Sequence, residues 1–347
     1  MTTATATTRQ MTLAEALRDA MRLAMREDPS VFLLGEDIGV EGGFGGGFTV
    51  TLGLSEEFGH ERVMDTPISE AAIIGAAVGA AMIGMRPVAE MQYGDFVFIG
   101  MDQVVNQAAK MHYMSNGQVS VPMVLRLPVG STRRGAQHAQ CTEAYWMHTP
   151  GLKVVCPSNP YDAKGLLYAA IRDQNPVIFL EHKLLYGGKG GRKEKTSLDP
   201  VMDVPEGIYE VPLGSVKVVR EGRDITILAN MLMVYRALEA ASALAEQGIQ
   251  AEVIDMRCLL PLDMETLMAS VQKTNHVLIV EEDNLTGGWG AEVAALLGEE
   301  AFYYLDAPIK RIASPDSPVP TAPVLEQAYL PNVAQIVAGC TWLMDGG

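Results

Sequence analysis

The sequence predicts an α/β protein of two domains, each built on a mostly parallel sheet flanked by helices. Three observations predict it. The chain has 347 residues, and domains run to roughly 100–200 residues each. Short apolar runs alternate with stretches of helical period in both halves, which implies parallel strands covered on both faces. The alternation stops at Gly187-Gly188-Lys189-Gly190-Gly191 and the charged stretch behind it, then restarts. The expected layout is a disordered tail over 1–10, a first α/β domain over 11–186, a linker over 187–206 and a second α/β domain over 207–347.

Leu13, Leu17, Met21 and Met25 recur at helical spacing, so a helix is expected from Thr12 to Glu27, stopped by Asp28-Pro29. Val31 to Leu34 reads as a buried strand, and a glycine-rich loop follows from Gly42 to Phe48. An apolar helix begins near Glu70, and a strand spans about Pro87 to Met91. One continuous helix is expected from about Gly100 to Met114. Strands at Met123 to Leu127, Lys153 to Cys156 and Val177 to Leu180 complete the half, with a helix from Tyr161 to Arg172 between the last two. The second half reads as strands at Asp224 to Ala229, Ala251 to Met256 and His276 to Val280, separated by helices from Met231 to Gln247 and Asp263 to Gln272.

Hydrophobic residues make up 48% and charged residues 20%, an ordinary globular composition. The net charge of −16 repels phosphate backbones, so nucleic acid is not an expected partner. The charge either keeps the surface soluble or attracts a basic protein. Cys141, Cys156, Cys258 and Cys340 are far apart, with no Cys-x-x-Cys pair, which fits a reducing cytoplasm better than a disulfide scaffold or a zinc site. The apolar run from Ala71 to Met85 is shorter than the roughly 18 residues of a membrane helix.

Common single-chain chemistries are disfavoured. None of the glycine clusters fits Gly-x-Gly-x-x-Gly, and there is no Gly-Lys-Ser/Thr phosphate loop, His-Glu-x-x-His pair or Gly-x-Ser-x-Gly elbow. Three segments remain. In Asp65-Thr66-Pro67-Ile68-Ser69-Glu70, the glutamate falls in the first turn of the apolar helix. It either complements the helix dipole or, partly desolvated by Ala71-Ala72-Ile73-Ile74, is held as a proton donor. In Glu90-Met91-Gln92-Tyr93-Gly94-Asp95-Phe96, the aromatics are either core or site residues. In Gly135-Ala136-Gln137-His138-Ala139-Gln140-Cys141, His138 is one of six histidines and lies in a loop of small and polar residues. Imidazole titrates near neutrality, so the choice is between a structural and a catalytic histidine.

Together these segments resemble the β subunit of the first component of 2-oxoacid dehydrogenase complexes, of the pyruvate, branched-chain and acetoin type. The likeness extends through Pro150-Gly151-Leu152-Lys153, Asn159-Pro160-Tyr161-Asp162, Asn175-Pro176-Val177 and Glu252-Val253-Ile254-Asp255-Met256-Arg257, from about Met11 to about residue 340. It implies a thiamine-diphosphate pyrimidine-binding domain followed by a transketolase C-terminal-type domain. It implies that Glu70 hydrogen-bonds the aminopyrimidine and so primes the thiazolium carbon, that Phe96 packs on that ring, and that Ile68 and Gln92 line it. Gln92 departs from the methionine common in pyruvate enzymes. His138 is implied to face substrate and lipoyl group, and Glu36 to lie near the cofactor. The resemblance also implies a potassium ion at Met123, Ala170, Asp173 and Asn175, and contact of Asp306 with a docking domain of the lipoyl acyltransferase core. The metal-binding Gly-Asp-Gly motif is absent from the sequence. The resemblance therefore implies an α subunit that carries this motif with magnesium, in an α2β2 heterotetramer. The implied activity is oxidative decarboxylation of a 2-oxoacid with acyl transfer to lipoyl groups; cleavage of acetoin and a purely structural assembly role are the alternatives. Arg133-Arg134 stand where the family has small residues, either to bind a carboxylate or to stabilise the loop.

Overall fold

The structure is a computed structural model, and it describes residues 7–40, 42–187 and 197–347. The first six residues of the expected tail and most of the glycine linker lie outside the described residues.

The chain opens with strand β1 (Thr8–Thr12) and helix α1 (Leu13–Glu27). Thr12 caps α1 reciprocally: its hydroxyl accepts from the Glu15 N–H at 3.3 Å, and the Glu15 carboxylate accepts from the Thr12 N–H at 2.9 Å. The first domain continues through β2 (Val31–Gly35), α2 (Leu54–Phe58), β3 (Val63–Asp65), α3 (Glu70–Met82), β4 (Arg86–Glu90), α4 (Met111–Met114), β5 (Val124–Val129), α5 (Glu143–Met147), β6 (Lys153–Val155), α6 (Pro160–Arg172) and β7 (Val177–His182). Strand β8 (Val201–Pro205) leads into β9 (Lys217–Arg220), β10 (Ile225–Ala229), α7 (Leu232–Glu246), β11 (Ala251–Asp255), β12 (Cys258–Leu260), α8 (Met264–Thr274), β13 (Val277–Asn284), α9 (Trp289–Glu300), β14 (Lys310–Ser314), α10 (Pro323–Tyr329) and α11 (Val333–Met344).

The larger sheet runs β12-β6-β7-β5-β4-β2-β3, parallel except for β12. The smaller runs β14-β13-β10-β11-β9, parallel except for β9. Strands β5 and β7 are buried along their whole length, as a sheet covered on both faces requires.

Four expectations need correction. Thr8 to Gln10 are not tail: they belong to β1, which pairs antiparallel with β8, from Thr8 opposite Pro205 to Thr12 opposite Val201. The pairing lets Met11 and Val204 bury a small apolar cluster with Ala16, which the Thr-rich composition hid. The second half of the expected linker is therefore a strand. The helix expected from Gly100 to Met114 is divided: Gly94–Gly100 is a 3-10 segment, Gln103–Ala108 is π-helical with the Ala109 N–H bonded to the Val104 carbonyl, and Met111–Met114 is a short α-helix. Finally, β12 comes from the second half but joins the first sheet, with Cys258 opposite Val155 and Leu260 opposite Val154.

Candidate active site

In the larger sheet the chain leaves β2 towards β3 on one side, then returns to β4 on the other and proceeds to β5. The carboxyl ends of β2 and β4 thus form a switch point, where the outgoing loops diverge and leave a crevice. Gly35, ending β2, lies opposite Glu90, ending β4. A side chain at Gly35 would come within 2.8 Å of the Glu90 carbonyl, so glycine lets the two strand ends meet. Glu36 follows β2, Ile68 and Glu70 follow β3, Gln92 and Phe96 follow β4, and His138 lies in the loop after β5. These four parallel strands deliver the residues to one edge.

Glu70 occupies the first turn of α3 and is 8% exposed. Burial, and then the nearby charge of Glu70, raise the Glu36 carboxyl above its ordinary range. The Oε1 of Glu36 and the hydroxyl of Thr66 are buried without a partner among the described residues. Such orphaned oxygens are costly unless something supplies a donor, and a nitrogen-rich ring would do so. The 3-10 segment carrying Phe96 packs on α3: a Cβ at Gly100 would meet the Glu70 carbonyl at 3.1 Å.

The rings of Phe96 and His138 meet edge to face at 5.2 Å, and Tyr93 and His138 at 5.9 Å. Tyr93 carries a cation on its ring from two residues. The Arg134 guanidinium is 5.2 Å from the centroid and also donates to the Tyr93 hydroxyl at 2.7 Å; the Lys183 ammonium is 5.1 Å away. Arg133 holds the other side of the loop: its N–H donates to Glu326 at 3.0 Å from the left-handed region, φ 63°. The backbone of Arg133 and the side chain of Arg134 thus tie the loop to α10 and to Tyr93. Ile68 is 80% exposed, as suits a residue whose contact comes from outside the chain. Gln92 is engaged inside it, donating to Glu90 at 2.8 Å and filling the space beside Gly46 and Gly47.

Of the residues implied to hold potassium, Ala170 lies in the last turn of α6, Asp173 and Asn175 lie between α6 and β7, and Met123 precedes β5, the neighbour of β7. Two cationic side chains also reach this turn. Arg86 donates to the Ile171 and Asp173 carbonyls at 2.9 and 3.0 Å, and Lys153 pairs with the Asp173 carboxylate at 2.5 Å. The Met123 carbonyl accepts from the Val177 N–H. Asp306 is exposed beside Phe302, Tyr303 and Tyr304, also exposed.

Sequence reasoning missed two parts of this region. Beneath the site Arg126 pairs with Glu181 at 2.7 Å and with Glu90, and Tyr186 donates to Glu181 at 2.6 Å, all within the core. The signal was a lone arginine inside Val-Leu-Arg-Leu, a run that should otherwise be wholly apolar. The other is Lys183, buried between β7 and the His138 loop.

The description "Transketolase, pyrimidine binding domain" matches residues 9–189, and "Transketolase, C-terminal domain" matches 214–336. A split-gene transketolase, solved as an inactive β4 tetramer, shares the fold with a TM-score of 0.76 at 22% identity, over 97% of this chain and 99% of that one. Fold and site thus define a transketolase-type subunit of two α/β domains. Curated relatives narrow this. The chain is 45% identical to the β subunit of acetoin:2,6-dichlorophenolindophenol oxidoreductase from Cupriavidus necator, over 98% of this chain and 99% of that protein. It is 46% identical to the 2-oxoisovalerate dehydrogenase β subunit of Bacillus subtilis, over 96% and 99%. It is also 46% identical to the mitochondrial pyruvate dehydrogenase first-component subunit β-2 of Oryza sativa subsp. japonica, over 96% and 86%. The chain belongs to the family of β subunits of the thiamine-diphosphate-dependent first component of pyruvate, branched-chain 2-oxoacid and acetoin dehydrogenases.

Proposed function

We propose that this chain supplies the pyrimidine-facing half of a thiamine-diphosphate site and that an α subunit supplies the other half. One observation carries the reading: a buried glutamate, a buried orphan carboxyl oxygen, an aromatic and a histidine share one strand-end crevice beside the exposed Ile68. Bound there, the cofactor supplies a carbon nucleophile that cleaves the bond next to a carbonyl. Glu70 holds a proton at the pyrimidine edge, Phe96 packs on the ring, and Glu36 offers a second carboxyl within electrostatic reach of Glu70. His138 faces the substrate carbonyl and the incoming acyl acceptor. The exposed Phe44, Ile68 and Ile99 are to be covered by the α subunit, which brings the diphosphate-binding metal, in an α2β2 assembly. Asp306 and its exposed aromatics form the surface for a basic docking domain of a lipoyl acyltransferase.

The proposed reaction is oxidative decarboxylation of a 2-oxoacid with acyl transfer to lipoyl groups. Acetoin cleavage is the second reading, favoured by the relatives named for acetoin, at 45% and 46% identity. Reconstitution with an α subunit separates them: pyruvate, 2-oxoisovalerate and acetoin are compared by reduction of 2,6-dichlorophenolindophenol. Glu70→Gln in that assembly is expected to lose activity by about 10²-fold or more, as loss of a positioned proton-transfer group does. Near-normal turnover by an intact assembly would refute the assignment of Glu70.

A further inference from the structure

The carboxyl end of β7 delivers Lys183 into the space behind the His138 loop. The side chain is 1% exposed, unusual for lysine, whose ammonium is strongly hydrated. Its Nζ donates to the backbone carbonyl of His138 at 2.5 Å and stands over the Tyr93 ring, whose neighbour on the other contact is the His138 imidazole. Other bonds hold the loop at its ends, from the Ser131 and Arg133 N–H groups to Glu282 and Glu326 and from Arg134 to Tyr93. The His138 N–H bonds Gly135 at 3.2 Å, and the Gln140 N–H and amide bond Asp95 at 3.0 and 2.9 Å. Lys183 is the charged group that ties His138 itself to the sheet.

We propose that Lys183 is a positioning residue that fixes the His138 imidazole for acyl transfer, and that its positive charge is what does so. The proposal rests on the reading of His138 as the group that meets the acyl acceptor. A neutral amine would keep its place in the packing but lose the charge-assisted bond to the carbonyl and the attraction to the Tyr93 ring. The groups facing the ammonium are Asp95 from the 3-10 segment, Arg134 and Cys141 from the loop, Glu282 from β13 and Glu326 from α10. Burial outweighs the acids among them and brings the Lys183 ammonium down to about 8. The charge is therefore present below that pH and is lost as pH rises through it.

The test is acyl transfer to a lipoyl domain by the reconstituted α/β enzyme, measured across pH for the wild type, Lys183→Met, Lys183→Arg, His138→Ala and the Lys183→Met/His138→Ala double variant. Lys183→Met is expected to lower the transfer rate about 10²-fold, the cost of misplacing a reacting group by an ångström or so. The double variant should be no slower than His138→Ala alone, because both changes remove one function. Wild-type transfer should fall above pH 8, and Lys183→Arg, which cannot lose its charge, should remove that fall. If Lys183→Met does not assemble, the comparison of Lys183→Arg with the wild type decides. Wild-type rates in Lys183→Met, additive losses in the double variant, or an alkaline fall retained in Lys183→Arg would each overturn the proposal. Wild-type transfer by His138→Ala would instead overturn the reading of His138 on which it stands.

Discussion

Arg126 shows what a single buried charge does here. It sits 1% exposed between Glu90 and Glu181, on three neighbouring strands of the sheet. The two carboxylates would repel each other without it, and burial already raises Glu90. Although burial works against it, the charges of Glu181 and Glu90 hold the guanidinium above its ordinary range, so it stays charged. Removing one member of a buried ion pair costs about 3–5 kcal/mol, because the remaining charges stay desolvated. Arg126→Met is therefore expected to destabilise the assembled enzyme by about that amount, read by denaturant unfolding. Gln92 hangs from the same network through Glu90, so the loss should reach the active site too. A stability change under about 1 kcal/mol would show that the carboxylates protonate and repack instead.

Single elements differ in how well they could be foreseen. Helix α1 was legible because Leu13, Leu17, Met21 and Met25 mark its buried face and Asp28-Pro29 its end. Helix α11 begins with the same reciprocal device: the Asn332 side chain accepts from the Gln335 N–H at 3.0 Å, and Gln335 accepts from the Asn332 N–H at 2.9 Å. Asn332→Ala should cost about 1 kcal/mol, the usual price of an N-cap, measured as a lowered unfolding midpoint. The segment from Gly94 to Met114 was not legible. Its apolar spacing suits a helix, but Gly100 packs so closely on α3 that the path is fixed by tertiary contact and not by local period. Strand β1 was missed for a related reason: its partner β8 lies almost two hundred residues away, and no local pattern encodes the pairing. At the site, Glu70, Phe96 and His138 each read equally as structural residues, and only the order of their three segments along the chain, through the family resemblance, made them stand out. Lys183 did not, because a lysine after a strand usually points to water.

Across the whole molecule, the two domains meet through buried acids. His182 of β7 bonds Glu282 of β13 at 2.9 Å, Asn230 bonds Glu143 at 3.1 Å, and Ser158 donates to Asp255 at 2.9 Å. These acids titrate in opposite directions. Although burial works against it, His182 holds Glu282 down to about 2, so its contribution is present above the ordinary carboxylate range and lost only in strong acid. Burial, and then the charge of Asp162, push Asp255 up to about 8. The folded protein keeps that proton where the unfolded chain releases it, so the contribution is full below the unfolded value of about 4 and is lost progressively as pH rises towards 8. Burial and Asp283 raise Glu143 as well. Asp255→Asn keeps the acceptor for Ser158 and removes the titration. Its unfolding temperature is expected to exceed that of the wild type at pH 8, with a smaller decline between about pH 5 and 8. Parallel pH profiles for the two proteins would contradict this.

Strand β12 also sets an order on how the protein comes into being. The edge of β6 is closed by Cys258 and Leu260, with Cys156 bonded through its N–H to the Arg257 carbonyl. During synthesis, the first hundred and eighty residues can emerge and collapse while that edge is still bare. An uncovered strand edge is a template for pairing with another chain. The nascent chain must therefore carry its exposed edge until residue 260 has left the ribosome, and only then can the half that bears Glu70 and His138 shut its own sheet.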